Sequence, residues 1–99
     1  MTITDLAREL VSIPSHEDET AVGDAIEAWV SEQTDAAVTR DGVGNVIARR
    51  GSGPSVALVG HHDVVPPDDE QVGADGSYLV EERDGRLYGR GTANMKGAV

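Results

Sequence analysis

Two stretches in the first third of the chain place apolar residues at helical spacing. The first stretch begins at Thr4, a candidate N-cap, and ends at Pro14, which cannot continue a helix. The second begins at Ser15, with acidic residues 17–19 in its predicted first turn. The apolar positions that define the two faces are Leu6, Leu10 and Val11, then Val22, Ile26, Trp29 and Val30. The pattern therefore predicts two amphipathic helices.

After residue 35 the pattern becomes typical of β-strands. Residues 36–40 and 45–49 are short β-like runs joined by Asp41-Gly42-Val43-Gly44, which predicts a hairpin. Residues 79–83 and 86–88 flank Asp84-Gly85 and predict a second one. Residues 55–60 are apolar on both faces, as expected of a buried central parallel strand. Together with a helix expected to begin at residues 94–99, this order predicts a layered α/β fold with a mostly parallel central sheet.

Composition and charge narrow the class of protein. The 99 residues include 18 acidic and 8 basic side chains, a net charge of −10, which argues against nucleic acid and anionic membrane partners. No apolar run approaches the ~20 residues of a membrane span. The first five residues do not resemble a signal peptide, so we expect a cytoplasmic protein. Cysteine is absent, which excludes disulfides and thiolate metal sites.

The basic residues are unevenly divided, because seven are Arg and only Lys96 is Lys. An acidic surface that is poor in lysine is typical of proteins from high-salt cytoplasm, where dense carboxylates maintain hydration. The alternative interpretation is an ordinary acidic protein.

A candidate metal site follows the apolar run 55–60, in Gly60-His61-His62-Asp63. Ligand sites of open α/β sheets form at the carboxyl ends of strands. On an extended chain the Asp63 carboxylate lies on the same side as His61, where it can accept a hydrogen bond from one ring nitrogen while the other binds a metal. His62 would point the opposite way. Spacing alone also fits a surface loop with solvated histidines.

The second candidate segment is residues 89–97, which contains three glycines around Asn94 and Lys96. Glycines let the backbone approach a bound ion closely, and Asn94 could present an oxygen to it. Alternatively, Asn94 is simply the cap of a following helix. The segment matches neither a phosphate-binding loop nor a dinucleotide fingerprint, and the chain contains no nucleophile elbow or His-Glu-x-x-His helix.

Taken together, these segments resemble one enzyme family. The similarity lies in Leu10-Val11-Ser12-Ile13-Pro14-Ser15, in the His-x-Asp followed by Val64-Val65-Pro66-Pro67, and in residues 84–91 followed by Met95-Lys96-Gly97. In this order they resemble the zinc-dependent aminoacylase family, which includes acetylornithine deacetylase, succinyl-diaminopimelate desuccinylase and glutamate-releasing carboxypeptidases. The first two are the most similar branch.

The resemblance implies an activity and a role for each site residue. It implies two zinc ions, replaceable by cobalt, and hydrolysis of an N-acyl amide in a small acylated amino acid or short peptide. His61 corresponds to a metal ligand and Asp63 to the catalytic-site aspartate that orients it. Position 94 corresponds to the aspartate that bridges both metals. It also implies a homodimer formed through an inserted dimerisation domain.

Two departures from the family pattern qualify this implication. Asn94 replaces the bridging aspartate, so we expect weakened binding of at least one metal. The family's catalytic Glu-Glu pair and remaining ligands follow the position-94 motif, whereas Glu81-Glu82 precedes it and is expected on a solvated edge strand. Residues 1–99 would then be the N-terminal part of the catalytic domain, truncated before the dimerisation domain and inactive alone.

Two other hypotheses stay open. One is a non-catalytic remnant that binds at most one metal or a partner. The other is a His-Asp phosphohydrolase, suggested by His62-Asp63. Those enzymes place the pair on helices, however, and Pro66-Pro67 cannot continue a helix here.

Overall fold

The computed structural model describes residues 2–99 as two helices, two β-hairpins and two short helical turns. The helices are α1 (Ile3–Ser12) and α2 (Thr20–Gln33), and the strands are β1 (Ala37–Arg40), β2 (Val46–Arg49), β3 (Glu81–Arg83) and β4 (Arg86–Tyr88). A 3₁₀ turn covers Asp69–Gln71 and an irregular turn covers Thr92–Lys96. Within the described residues, no helix is both long and apolar enough to cross a membrane.

Helix α1 begins two residues earlier than predicted. Its N-cap is Thr2, whose Oγ1 accepts a hydrogen bond from the Asp5 N–H at 3.1 Å. The Asp5 carboxylate accepts in return from the Thr2 N–H at 3.0 Å, which completes a capping box. Thr4 is therefore inside the helix, because Asp5 lies three residues after Thr2 and can form this reciprocal pair. The end of α1 at Ser12, before Pro14, agrees with the prediction.

Helix α2 begins at Thr20 rather than at Ser15. The Asp18 carboxylate accepts from the Thr20 N–H at 2.8 Å, so the acidic cluster precedes the first turn instead of forming it. Ser15 is buried, and its backbone N–H donates to the Tyr78 hydroxyl, so Ser15 lies outside the helix. The predicted apolar stripe lies within α2: Val22 is buried, and Ile26, Trp29 and Val30 are half-buried.

Both predicted hairpins are confirmed. Strands β1 and β2 pair antiparallel, with Arg40 opposite Val46. The Asp41 carboxylate closes their turn by accepting from the N–H groups of Val43 and Asn45 at 3.0 and 2.9 Å. Strands β3 and β4 also pair antiparallel, and β3 begins at Glu81, two residues later than predicted.

The predicted central strand at residues 55–60 is wrong for the described chain. This segment has no regular secondary structure, and the side chains of Val56, Leu58 and Val59 are 88–95% exposed. A strand needs a hydrogen-bonded neighbour, and each two-stranded sheet of residues 2–99 pairs only within itself. The fold is thus a small α/β arrangement with antiparallel hairpins, in which the mostly parallel sheet is not formed.

The helix expected at residues 94–99 is also not formed. Asn94 and Met95 have non-helical backbone angles that interrupt the Thr92–Lys96 turn.

The interior is small and lies beside the C-terminal half of α1. Its buried apolar residues are Leu10, Val11, Val22, Val64 and Tyr78. Two polar residues, Ser15 and Lys96, are buried with them at 1% exposure each. The radius of gyration is 14.3 Å, against about 13 Å for a compact domain of 100 residues. Most of the buried residues lie where the end of α1 and the start of the α1–α2 connector, residues 13–19, contact residues 64, 78 and 96.

Candidate metal centre

His61 and Asn94 face each other although 33 residues separate them in the chain. The Nε2 atom of His61 lies 2.9 Å from Oδ1 of Asn94. The His61 backbone N–H also points at the Met95 sulfur, 3.4 Å away. A Cβ on Gly60 would lie 2.9 Å from the methyl carbon of Met95, so glycine permits this close approach. The structure thus brings together the two residues that the sequence selected as metal ligands.

Asp63 lies on the opposite side of the His61 ring. Nδ1 of His61 is 3.1 Å from the Asp63 carboxylate and 3.1 Å from its backbone carbonyl. This is the arrangement expected of a carboxylate that fixes the orientation of a metal-binding imidazole. Each ring nitrogen therefore has its own partner, and Nε2 is the one that faces Asn94.

The protonation of His61 follows from these contacts. Both ring nitrogens face oxygen acceptors, which favours the doubly protonated ring. The Asn94 oxygen is the largest cause, followed by the Asp63 carbonyl, and together they raise the pKa of His61 above its ordinary value. A proton on Nε2 would occupy the position that a cation takes, so metal binding at this atom requires the unprotonated nitrogen.

His62 faces different surroundings. It contributes with Arg40 to a cleft of about 180 Å³ beside His61, whose other lining residues are Glu19, Thr20, Val43, Gly44, Asn45, Gly60 and Asp63. Partial burial lowers the pKa of His62, the opposite direction to His61. The neighbouring histidines therefore differ in their contacts and in the direction in which the pKa is shifted.

Arg40 is a part of the cleft that sequence reasoning missed. Its guanidinium donates to the carboxylates of Asp24 and Glu27 at 2.9 and 3.0 Å. It packs where a side chain on Gly23 would lie, since a Cβ there would be 2.9 Å from Arg40 Nη2. No sequence pattern indicated this contact, because it depends on the angle between α2 and β1.

The loop that carries Asn94 is closed by its own backbone hydrogen bonds. The N–H of Lys96 donates to the carbonyl of Gly91, and that of Gly97 donates to Thr92, both at 2.9 Å. Gly91 has a φ of +82°, which favours glycine. The Val64 side chain also occupies the space that a Cβ on Gly91 would need. The backbone around Asn94 is therefore constrained from both sides.

Lys96 and Tyr78 attach this part of the molecule to the α1–α2 connector. The Lys96 ammonium donates to the Ile13 carbonyl at 2.7 Å and lies 5.1 Å from the centre of the Tyr78 ring. The Tyr78 hydroxyl accepts from the Ser15 N–H at 3.0 Å and contacts His16 Nδ1 at 2.6 Å. Burial lowers the pKa of Lys96 to about 8. The sequence assigned neither side chain a role; the signals at Lys96 were that it is the sole lysine and that it lies in the Met95-Lys96-Gly97 motif.

The donors present fit part of a zinc site. Two ligands on one tetrahedral zinc, each about 2.0–2.1 Å from the ion, lie roughly 3.3 Å apart. The 2.9 Å between His61 Nε2 and Asn94 Oδ1 is close to that separation. Across residues 2–99, however, no three His, Asp or Glu side chains cluster around a common point. This chain offers one nitrogen and one neutral oxygen toward a cation.

Glu81 and Glu82 take no part in this centre. Both lie on the exposed strand β3, as expected. Glu82 forms an ion pair with Arg8, and the Glu81 carboxylate lies 2.8 Å from the Arg83 guanidinium. Their carboxylates are therefore engaged on the surface of the β3–β4 hairpin.

Comparison with known proteins gives the same family as the motifs. Residues 57–99 match the family model described as Peptidase family M20/M25/M40. The chain is 38% identical to a succinyl-diaminopimelate desuccinylase of Xylella fastidiosa, over 98% of this chain and 27% of that protein. It is 50% identical to the desuccinylase of Nitrobacter hamburgensis over 58% of this chain and 15% of that protein.

A third relative is the succinyl-diaminopimelate desuccinylase of Bordetella avium, 46% identical over 63% of this chain and 17% of that protein. The chain thus spans about a quarter or less of the length of these relatives. The segment that matches the family model contains His61, Asp63 and Asn94. The chain belongs to peptidase family M20/M25/M40 and corresponds to an N-terminal part of its members.

Proposed function

We propose that this chain supplies metal-binding residues to a hydrolase that cleaves the N-acyl amide bond of an acylated amino acid or short peptide. The observation that carries the proposal is the 2.9 Å approach of His61 Nε2 to Asn94 Oδ1, within the segment that matches the family. Imidazole nitrogen and side-chain oxygen are ligand types that divalent cations take, and here they converge from distant parts of the chain.

Each residue has a separate task in this proposal. His61 binds the cation through Nε2 after it loses the proton there, and Asp63 holds the ring through Nδ1. Asn94 offers its amide oxygen from the opposite side. A bound divalent cation would supply Lewis acidity, which lowers the pKa of water and stabilises negative charge on the acyl oxygen. The products would be a carboxylic acid and a free amine.

The names of the relatives support the substrate class. Succinyl-diaminopimelate desuccinylases remove a succinyl group, so an N-acylated amino acid is the class that we propose here. We further propose two zinc ions, which cobalt can replace, and a homodimer for the whole protein. Residues 1–99 would form the N-terminal part of its catalytic domain.

A second candidate function is a non-catalytic remnant that binds at most one metal. Two observations favour it: position 94 offers a neutral oxygen, and residues 2–99 present no cluster of three acidic or histidine ligands. Deacylation of N-succinyl and N-acetyl amino acids by the chain, with zinc or cobalt added, tests the remnant directly. Turnover would eliminate it, whereas both candidates expect no turnover from residues 1–99 alone.

Metal binding itself is tested by matched histidine variants. We expect Co²⁺ titration to give a weak site in the wild-type chain that His61→Gln abolishes. His62→Gln is the control, because His62 is adjacent in sequence but does not face Asn94, and it should bind cobalt as the wild type does. Equal loss in both variants, or equal binding in both, would contradict the proposal.

A further inference from the structure

The two halves of the candidate metal centre are attached to the same short connector between α1 and α2. From one half, the Val64 N–H donates to the Ser15 carbonyl at 3.2 Å. From the other half, the Lys96 ammonium donates to the Ile13 carbonyl at 2.7 Å. Val64 lies three residues after His61, and Lys96 lies two residues after Asn94. The segments that carry His61 and Asn94 are therefore both hydrogen-bonded to the connector, residues 13–19.

Lys96 is an unusual residue to find in this place. It is the only lysine of the chain, and its side chain is 1% exposed. Burying an ammonium group is unfavourable unless it finds strong acceptors. The structure gives it the Ile13 carbonyl at 2.7 Å and the face of the Tyr78 ring at 5.1 Å. A methionine or leucine would fill the same space without that cost, so packing alone does not account for a lysine.

The acceptor explains what the ammonium contributes. Ile13 is the C-cap of α1, where helical carbonyls lack intrahelical donors and carry partial negative charge. The last turn of α1 contains no basic residue of its own. Lys96 supplies that cation from 83 residues away. When a loop residue caps a helix, its ammonium group is held at the helix C-terminus. The loop is then attached to the helix at that point.

Asn94 lies only two residues from Lys96, so a fixed Lys96 also restricts the backbone at Asn94. The Lys96 N–H closes the loop onto Gly91 at 2.9 Å, and the Gly91 backbone lies against the Val64 side chain. Asn94 lies between these closures, with non-helical backbone angles. The backbone hydrogen bonds hold the loop that carries Asn94, and the Asn94 Oδ1 lies 2.9 Å from His61 Nε2.

We propose that Lys96 is a positioning residue, whose ammonium caps α1 at Ile13 and thereby holds Asn94 opposite His61. The proposal deepens the metal-binding function above and rests on it for its purpose, although the contact that Lys96 maintains exists without a metal. Lys96 touches neither donor directly. Its loss should therefore alter the geometry of the pair while the rest of the fold persists.

The test uses the metal-free chain and the ring nitrogen signals of His61 in long-range ¹H–¹⁵N spectra. Asn94→Ala defines the signal of His61 without its partner. We expect Lys96→Met, which keeps the length of the stem but not the ammonium, to move the Nε2 signal most of the way to that position. Arg49→Met is the charge-matched control, since Arg49 is exposed on β2, and it should leave the signal unchanged.

A loss of stability alone must not imitate this result. Val22→Ala removes buried volume from α2, which is outside the 89–97 loop, and should destabilise the fold while the His61 signal stays at its wild-type position. The chain contains no cysteine, so Lys96→Cys can be aminoethylated in denaturant and refolded to restore an ammonium at nearly the original length. This rescue should return the His61 signal to the wild-type position.

Each outcome is decisive. A folded Lys96→Met chain with the wild-type His61 signal would overturn the proposal, as would an aminoethylated chain that stays at the Asn94→Ala position. If Lys96→Met does not fold, the aminoethylated chain and the wild-type chain test the proposal. The ammonium protons of the sole lysine in the wild type should exchange slowly with water. Fast exchange of these protons would contradict the proposal. Co²⁺ titration of the same samples tests the proposed function separately, because a wild type that binds no metal can still show the Lys96 effect.

Discussion

The apolar segment 55–60 and the loop 89–97 each lead to one donor of the candidate metal centre, but they are held very differently. The loop is closed by backbone hydrogen bonds and contains the buried Lys96. The apolar segment has no regular structure, and Leu58 is 95% exposed. His61 is held mainly by contacts that come after this segment, at Asp63, Asn94 and Met95.

The difference shows that hydrophobicity and burial are separate properties in this chain. The most apolar run is exposed, whereas a lysine occupies the interior. What separates the two segments is the availability of partners: α1 offers unpaired carbonyls to Tyr78 and Lys96, and within residues 2–99 no strand lies beside residues 55–60. Position in the fold, more than side-chain type, determines which segment is buried and hydrogen-bonded.

The largest expected effect contrasts a buried leucine with an exposed one. Leu10→Ala should lower the free energy of unfolding by about 2–5 kcal/mol, because it leaves a cavity in the interior. Leu58→Ala, the matched change in the apolar segment, should alter it by no more than about 0.5 kcal/mol. Urea unfolding followed by circular dichroism measures both. Similar losses for the two variants would mean that residues 55–60 are buried in solution.

The next effect tests the attachment of the connector through a hydroxyl group. Tyr78→Phe leaves the buried Ser15 N–H without its acceptor and should cost about 1–3 kcal/mol of unfolding free energy. Tyr88→Phe removes the same hydroxyl from a residue that is 40% exposed. It should be close to neutral in the same urea experiment. Equal effects would show that the Tyr78 hydroxyl does not anchor the connector.

A third prediction concerns Asn94, the donor on the hydrogen-bonded loop. Asn94→Asp places an anionic oxygen opposite His61 and should tighten Zn²⁺ binding by at least about tenfold, since carboxylates bind dications better than amides. Gln33→Glu adds the same charge at an exposed position of α2 and is the control. Isothermal titration calorimetry gives both affinities. No difference between Asn94→Asp and the wild type would contradict a ligand role for position 94.

The smallest effect lies in the β1–β2 turn, a reference region outside the two segments of the comparison. Hydrogen bonds from Asn45, chiefly its side chain, lower the pKa of Asp41. A depressed pKa stabilises the turn above the ordinary aspartate value of about 3.9, and this contribution is lost as the pH falls through the lowered value. Asn45→Ala should raise the pKa of Asp41 in a ¹³C carboxyl titration. An unchanged midpoint would contradict this account of the turn.

Local patterns predicted the helices and hairpins because their partners lie close in sequence. Asp84-Gly85 specifies a tight turn, and Pro14 ends α1 wherever the helix packs. The start of α2 was missed because Ser15 bonds to Tyr78 instead of capping a helix, a contact across 63 residues. The absence of a strand at residues 55–60 could not be predicted either, because periodicity describes one strand and not its neighbours.

In the candidate metal centre, too, contacts between neighbouring residues could be predicted and long-range contacts could not. His61 and Asp63 could be paired from their spacing on an extended chain, and the structure brings them together. Asn94 could be related to His61 only through the family resemblance, because no local rule connects residues 33 positions apart. Lys96 and Arg40 were missed because their contacts depend on how α1 and α2 lie against distant segments.

The most direct test of the central claim is the position of a cation in the chain crystallised with excess zinc. We predict a zinc ion about 2.0–2.1 Å from Nε2 of His61, with the Asn94 oxygen also bound and Nδ1 still bonded to Asp63. A folded chain whose His61 nitrogen lies more than about 3 Å from every zinc ion, well beyond that bonding distance, would contradict the account.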